Sequence, residues 1–277
     1  MAALNKYKIG FIGFGNLAQS ILKSLLDSKT VEPKQIAFTN RSEGKSARIV
    51  SDFGINYFSG NDELIDDVDI VIIAVKPQDF MEAIEPFVAN FREDQIVISL
   101  AAGVSFTTLK SIITTSTRLV RVMTNTAASV SAGAVGFYHP RDDEALDATV
   151  DLLFKSIGEV YALKDEDEFA AFTVGVCSGI GFVFEIMTYW SEWLEQYGID
   201  KDSAEKMIID TFRGAVKLSE QSGDLSLTDL QSKVVSKKGV TQAGLTSMNE
   251  MELDRIFRVS FEKAIMRDKE LEKFVSP

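Results

Sequence analysis

Residues 9–18, Ile9-Gly10-Phe11-Ile12-Gly13-Phe14-Gly15-Asn16-Leu17-Ala18, carry the pattern G-x-G-x-x-A between an apolar run and a segment of helical spacing. Each small residue has a task in that setting. Gly13 permits a tight strand-to-helix turn, Gly15 lets the backbone approach a pyrophosphate, and Ala18 lets the helix pack close to the strand. A helix starting here directs unpaired N–H groups and its positive dipole end at phosphates. The chemistry is dinucleotide binding, and the strand before and helix after supply the context that a glycine pattern needs.

A second group of residues bears on which dinucleotide. The apolar run 36–39 is followed by Asn40, Arg41 and Ser42, with Lys45 and Arg48 close behind. An NAD-binding domain usually places Asp or Glu at this point to accept hydrogen bonds from the ribose 2′-hydroxyl. No acid stands there, and the donors present suit a 2′-phosphate, on which an Arg fork makes a strong charge-assisted contact. The expected cofactor is NADP(H) in preference, with NAD(H) possible.

The elements that position these residues follow from periodicity. Apolar runs at 8–12, 36–39, 70–74, 96–100, 118–123 and 134–138 read as strands, with helices at 19–26, 45–53 and 80–91 between them. Alternating strands and helices with continuously apolar strands predict a mostly parallel, doubly wound sheet covered on both faces. After about residue 160 the pattern turns helical: 169–197 with a break at Ser178-Gly179-Ile180-Gly181, then 202–222 with Asp202 or Ser203 near its N-cap, 227–235 and 253–274. We therefore expect an α/β Rossmann domain over 1–164 and an all-helical domain over 165–277. The acidic run Lys164-Asp165-Glu166-Asp167 reads as a solvated linker in preference to a helix start.

The totals narrow the class. The 277 residues carry a net charge of −12, so a phosphate backbone would be repelled and nucleic acid is not an expected partner. One cysteine, Cys177, forbids an intramolecular disulfide and fits a reducing, cytoplasmic compartment. The N-terminal stretch lacks a secretory apolar region, and the longest apolar runs, such as 70–75, are too short to span a bilayer. One histidine, His139, sits before Pro140 in what reads as a surface loop, and without a His/Cys cluster no metal site is expected. Cys177 lies in an apolar helical segment and reads as a buried hydrophobe, not a nucleophile. Met187, Trp190, Trp193 and Leu194 form a stripe at helical spacing that suits a core or an interface.

Ala74-Val75-Lys76-Pro77-Gln78, Ser99-Leu100-Ala101-Ala102-Gly103-Val104 and the late loop Ser236-Lys237-Lys238-Gly239-Val240-Thr241-Gln242-Ala243-Gly244-Leu245 together resemble the pyrroline-5-carboxylate reductase family. The resemblance runs nearly end to end. It implies hydride transfer from NADPH to the C=N carbon of 1-pyrroline-5-carboxylate, giving L-proline, and a helical domain that makes a homodimer, with rings of dimers in some members. By position it implies that Gly13, Phe14, Gly15, Asn16 and Leu17 wrap the pyrophosphate, and that Asn40, Arg41 and Ser42 hold the adenosine end. It puts Asn61 near the adenine ribose, and Ala74, Val75, Lys76, Pro77, Ala101, Ala102 and Gly103 by the nicotinamide half. Ser236, Gly239, Val240 and Thr241 match the substrate loop, with the Thr241 hydroxyl placed to assist protonation of the ring nitrogen.

Three stretches depart from the family pattern. Thr124-Asn125-Thr126-Ala127 replaces Pro-Asn-Thr-Pro, which implies a looser turn. Cys177-Ser178-Gly179-Ile180-Gly181-Phe182 replaces Gly-Ser-Gly-Pro-Ala-Tyr, and Lys238-Gly239 replaces paired glycines. Lys238 has two readings, a strained backbone with positive φ or an ammonium facing solvent or a carboxylate. The departures keep two rivals open: a reductase of another imine or a small keto or hydroxy acid, and a non-catalytic NADP(H)-binding protein.

Overall fold

The computed structural model describes residues 4–115, 118–273 and 275. Residues 1–3 of the N-terminal stretch read above, and Phe274 at the expected end of the last helix, lie outside them.

The first part of the chain alternates as expected: β1 (Ile9–Ile12), α1 (Asn16–Asp27), β2 (Ile36–Thr39), α2 (Glu43–Phe53), β3 (Asn56–Tyr57), α3 (Asn61–Asp67), β4 (Ile70–Ile73), α4 (Phe80–Ile84), β5 (Ile96–Ser99), α5 (Phe106–Ile112), β6 (Arg118–Thr124), β7 (Gly133–Tyr138), α6 (Glu144–Phe154) and β8 (Gly158–Ala162). The strands form one sheet in the order β3-β2-β1-β4-β5-β6-β7-β8. The first six are mutually parallel, β7 runs antiparallel to β6, and β8 is parallel to β7. Burial on both faces explains the continuous apolar runs. In β4, Ile70 and Ile72 join a core with Phe11 and Phe38, while Val71 and Ile73 face the other way into a core with Leu64 and Phe80.

Several elements lacked a clear signal. Strand β8 is half-exposed along its length and has no apolar run to announce it; its pairing with β7 makes it a strand. The helix expected over 80–91 is α helix only to Ile84 and continues as a 3₁₀ turn, Glu85–Asn90, because Pro86 has no N–H to donate.

The acidic run is corrected to a helix start. Asp165 caps α7 (Glu166–Phe172), its carboxylate accepting the Glu168 N–H at 2.8 Å. Glu166 forms an ion pair with buried Arg121 on β6 and accepts the Phe106 N–H at 2.6 Å. The Arg121 guanidinium also lies 4.0 Å from the Phe169 ring centre. Burial draws the Arg121 pKa down, and the carboxylates of Glu166, Asp268 and Glu272 work against it.

Past α7 the chain makes a π-helical turn, Thr173–Cys177, and enters α8 (Gly179–Glu195), so the expected break falls at Ser178. The stretch Glu166–Glu195 is long and apolar enough, by length and composition, to cross a bilayer. That corrects the expectation that the longest apolar segments are only strand-length. Helices α9 (Lys201–Gln221), α10 (Leu227–Val234), α11 (Val240–Glu250) and α12 (Leu253–Glu272) follow. Asp200, not Asp202 or Ser203, caps α9 by accepting the Ser203 N–H at 3.0 Å.

The chain packs as two compact units, one of Met1–Ser178 with Ala264–Pro277 and the other of Gly179–Lys263. Helical structure thus begins at Glu166, whereas the packing divides at Ser178. In the second unit α8 packs on α9, with Trp190 edge-on to Phe212 at 5.7 Å. Trp190 and Trp193 are nevertheless exposed, so their stripe is not a core within one chain.

Removing one partner of a buried ion pair strands the other. Arg121→Ala should lower the unfolding free energy by about 3 kcal/mol, and Glu166→Gln by less because Glu166 is partly solvated. Denaturant midpoints measure this, and a loss of under about 1 kcal/mol for Arg121→Ala would show that Phe169 and the rest of the cluster hold without it.

Candidate functional site

The carboxyl ends of β1, β2 and β4 meet where the strand order reverses, with β2 on one side of β1 and β4 on the other. Open α/β sheets bind ligands in the crevice at such a point. A cleft of about 400 Å³ lies there. Gly13, Phe14 and Gly15 after β1 form one wall, and Thr39, Asn40 and Arg41 at the end of β2 form the next. Ser59, Gly60 and Asn61 reach it from the turn before α3, and Ala74, Val75 and Lys76 from the end of β4.

Local geometry explains the residue types. Gly13 has φ +83°, and a Cβ there would stand 2.7 Å from the Val75 side chain and 3.1 Å from the Ala74 backbone. Gly15 precedes α1 without a side-chain cap, so the first N–H groups of that helix have no such partner. A Cβ on Gly15 would meet open space, and Gly15 lines the cleft. These features fit a pyrophosphate. The Asn61 amide donates to the Ala83 carbonyl at 2.9 Å, which fixes its side chain on the cleft wall.

Other expected residues stand outside the cleft lining. Asn16 and Leu17 open α1, Ser42 precedes α2, and Pro77 begins a 3₁₀ turn, Pro77–Asp79. Arg48 pairs with Asp52 along α2 at 3.5 Å. Ala101, Ala102 and Gly103 follow β5. There Gly103 has φ +65°, its N–H is held by the Asp268 carboxylate, and an added Cβ would stand 2.7 Å from Leu271 Cβ. The cleft also uses Asp79, Glu82, Ala83 and Phe87, which sequence reading did not single out. Asp79 and Glu82 are three residues apart on a helical turn, a spacing that exposed carboxylates often show.

Ser236, Gly239, Val240 and Thr241 belong to the second compact unit. The loop is shorter than residues 236–245, because Gly239 is the N-cap of α11 and Val240 and Thr241 form its first turn. The Ser236 carbonyl accepts the Gly239 N–H at 2.9 Å. Lys238 has φ +61°, with an exposed side chain, and its N–H donates to Gln242 Oε1 at 2.9 Å. Lys238 therefore combines the positive-φ backbone with the solvent-facing side chain.

The remaining candidates sort as follows. In the turn after β6 the Asn125 side chain accepts the Ala127 N–H at 3.2 Å, a donor that a proline at this position would lack. His139, just past the end of β7, is buried and bonds Asp147 on α6 at 2.6 Å, which corrects the expectation of a surface position. Cys177 is half-buried, and burial pushes its thiol up to about 12, far from a thiolate nucleophile. Among the described residues, no group of three or more His, Cys, Asp or Glu side chains could hold a metal ion.

Comparison with known proteins places this geometry. Residues 166–271 match the family profile "pyrroline-5-carboxylate reductase dimerisation", and residues 8–103 match "NADP oxidoreductase coenzyme F420-dependent". The pyrroline-5-carboxylate reductase of Staphylococcus haemolyticus is 29% identical over 96% of this chain and 98% of its own. Pyrroline-5-carboxylate reductase 2 of Bacillus subtilis is 28% identical over 96% and 95%. The solved pyrroline-5-carboxylate reductase of Coxiella burnetii superposes with a TM-score of 0.87 at 29% identity, covering 96% of this chain and 99% of that one. In fold alone, the Plasmodium falciparum pyrroline carboxylate reductase with NADP bound is similar at TM-score 0.80 and 20% identity, covering 97% and 99%.

The two glycines should separate in experiment. Gly15→Ala should keep the melting temperature yet weaken NADPH binding at least about tenfold, whereas Gly13→Ala should lose stability and binding together. Equal melting temperatures for both variants would contradict the packing described for Gly13. Lys238→Gly should raise stability by about 1 kcal/mol by relieving the left-handed backbone, and an unchanged denaturant midpoint would mean that the unfolded chain's extra freedom cancels the gain.

Proposed function

The chain belongs to the pyrroline-5-carboxylate reductase family, and we propose on that footing that it reduces the C=N bond of 1-pyrroline-5-carboxylate with NADPH to give L-proline. The observation that carries this reading is the cleft at the strand-order reversal, with the Gly13 corner on one wall and Arg41 on another. A bound NADPH would supply the hydride.

The chain's own part is binding and orientation. The backbone of Gly13, Phe14 and Gly15 and the first N–H groups of α1, at Asn16 and Leu17, take the pyrophosphate. Asn40, Arg41 and Ser42 take the adenosine end with its 2′-phosphate, and Asn61 the adenine ribose. Ala74, Val75, Lys76, Pro77, Ala101, Ala102 and Gly103 border the nicotinamide half. Ser236, Gly239 and Val240, with the uncapped N–H groups at the start of α11, hold the substrate carboxylate. The Thr241 hydroxyl hydrogen-bonds the ring nitrogen and favours its protonation from solvent, so that hydride reaches carbon as that proton rests on nitrogen. An oriented imine needs no nucleophile, which agrees with a buried His139 and an inert Cys177.

The proposal extends to organisation. Residues 1–164 serve the cofactor, and 165–277 the substrate and a homodimer, with larger rings of dimers as a further step. Exposed Phe184, Trp190, Trp193 and Ile256 in the second unit support it, since a second copy would take them out of water. Fully burying a large apolar side chain contributes about 1.5–3 kcal/mol. The long apolar stretch through α8 is then an interface segment and not a membrane span. A cytoplasmic location, and NADPH in preference to a usable NADH, complete the reading.

The test is NADPH oxidation, followed at its absorbance band, with and without 1-pyrroline-5-carboxylate. Turnover that falls about 100-fold in Thr241→Ala is expected. Tight NADPH binding without turnover would instead favour another imine, a small keto acid, or a binding protein.

A further inference from the structure

Asp79 lies beside Arg41 on the lining of the cleft, its Oδ1 3.4 Å from the guanidinium. Glu82, one turn later, also lines the cleft. A cleft built only for a 2′-phosphate gains nothing from carboxylates there, because each repels the dianion. Nor does α4 use the acid, since Asp79 makes no side-chain cap bond to it. The residue that an NAD-type domain carries after its second strand is absent from Asn40-Arg41-Ser42. Asp79 brings a carboxylate to the same crevice from the β4 side.

Resting on the cofactor reading above, we propose that Asp79 is a specificity-determining residue: it accepts the ribose 2′-hydroxyl of NADH and opposes the 2′-phosphate of NADPH, so that one cleft serves both. The Arg41 side chain is 79% exposed, and an ion pair so solvated breaks at little cost. With NADPH, Arg41 leaves Asp79 for the phosphate. With NADH the pair stays intact, and the second carboxylate oxygen remains free to accept a hydroxyl.

Binding of NADPH and NADH to the full chain, followed by nucleotide fluorescence, tests this. In Asp79→Asn the ratio of the NADH to the NADPH dissociation constant should rise about fivefold, the size expected of one exposed charge. Asp79→Glu, which keeps the charge, should hold the ratio near wild type. A ratio that is unchanged or falls in Asp79→Asn, while Arg41→Ala shifts it toward NADH, overturns the role of Asp79 and leaves the cofactor placement standing. A ratio unmoved in Arg41→Ala as well overturns both.

Discussion

Three strand ends converge on Gly13. Its N–H donates to the Thr39 carbonyl at 3.2 Å, and next to it the Ala74 N–H donates to the Ile12 carbonyl at 2.8 Å. Those two bonds hold the ends of β1, β2 and β4 in register, and the positive φ of Gly13 turns the chain away from them into α1. Any side chain at this corner would push against Val75 and the Ala74 backbone, parting the first and fourth strands at the point where the cleft forms. The orientation of α1, the free N–H groups at its start and the approach to Lys76 all depend on that one uncrowded turn.

Farther along the same sheet a buried charge does the organising. Arg121 on β6 gathers Glu166 from the start of α7, with Asp268 and Glu272 from the end of α12 close enough to favour its charge. Thr108 of α5 donates to Glu272 at 3.0 Å, and Gly103 to Asp268. The loop after β5 is therefore fastened to residues far away in sequence. A guanidinium can serve as such a hub because its five donors lie in a fixed plane and its face stacks on Phe169. Burying it without those acids would cost several kcal/mol.

The second compact unit follows another principle. Its helices have good caps, as at Asp200 and at Ser226, which shares a capping box with Asp229. Yet α10, α11 and the part of α12 that belongs to this unit bury no residue fully, and aromatic side chains on α8 stand in solvent. Local signals are enough to form these helices; a core to cover them is not built from one chain, which is what a region matching a dimerisation profile leads one to expect.

The nucleotide half was legible because its signals are local. Isoleucine- and valine-rich strands and a small-residue turn are each read within a few residues, and they bear directly on strand burial and helix approach. Edge strand β8, the capping role of Asp165, the burial of His139 and the place of Asp79 beside Arg41 were not legible. The partners of β8 and of Asp79 lie far off in sequence, at β7 and at the end of β2, whereas Asp165 takes its cap bond from Glu168 and His139 meets Asp147 on the next helix, pairings that the residue types alone do not announce. A carboxylate or a short polar strand looks the same in sequence whether it faces water or a neighbour. Only the packed chain supplies the neighbour, and with it the low dielectric and the geometry that turn a common residue into a cap, a clasp or a wall of the cleft.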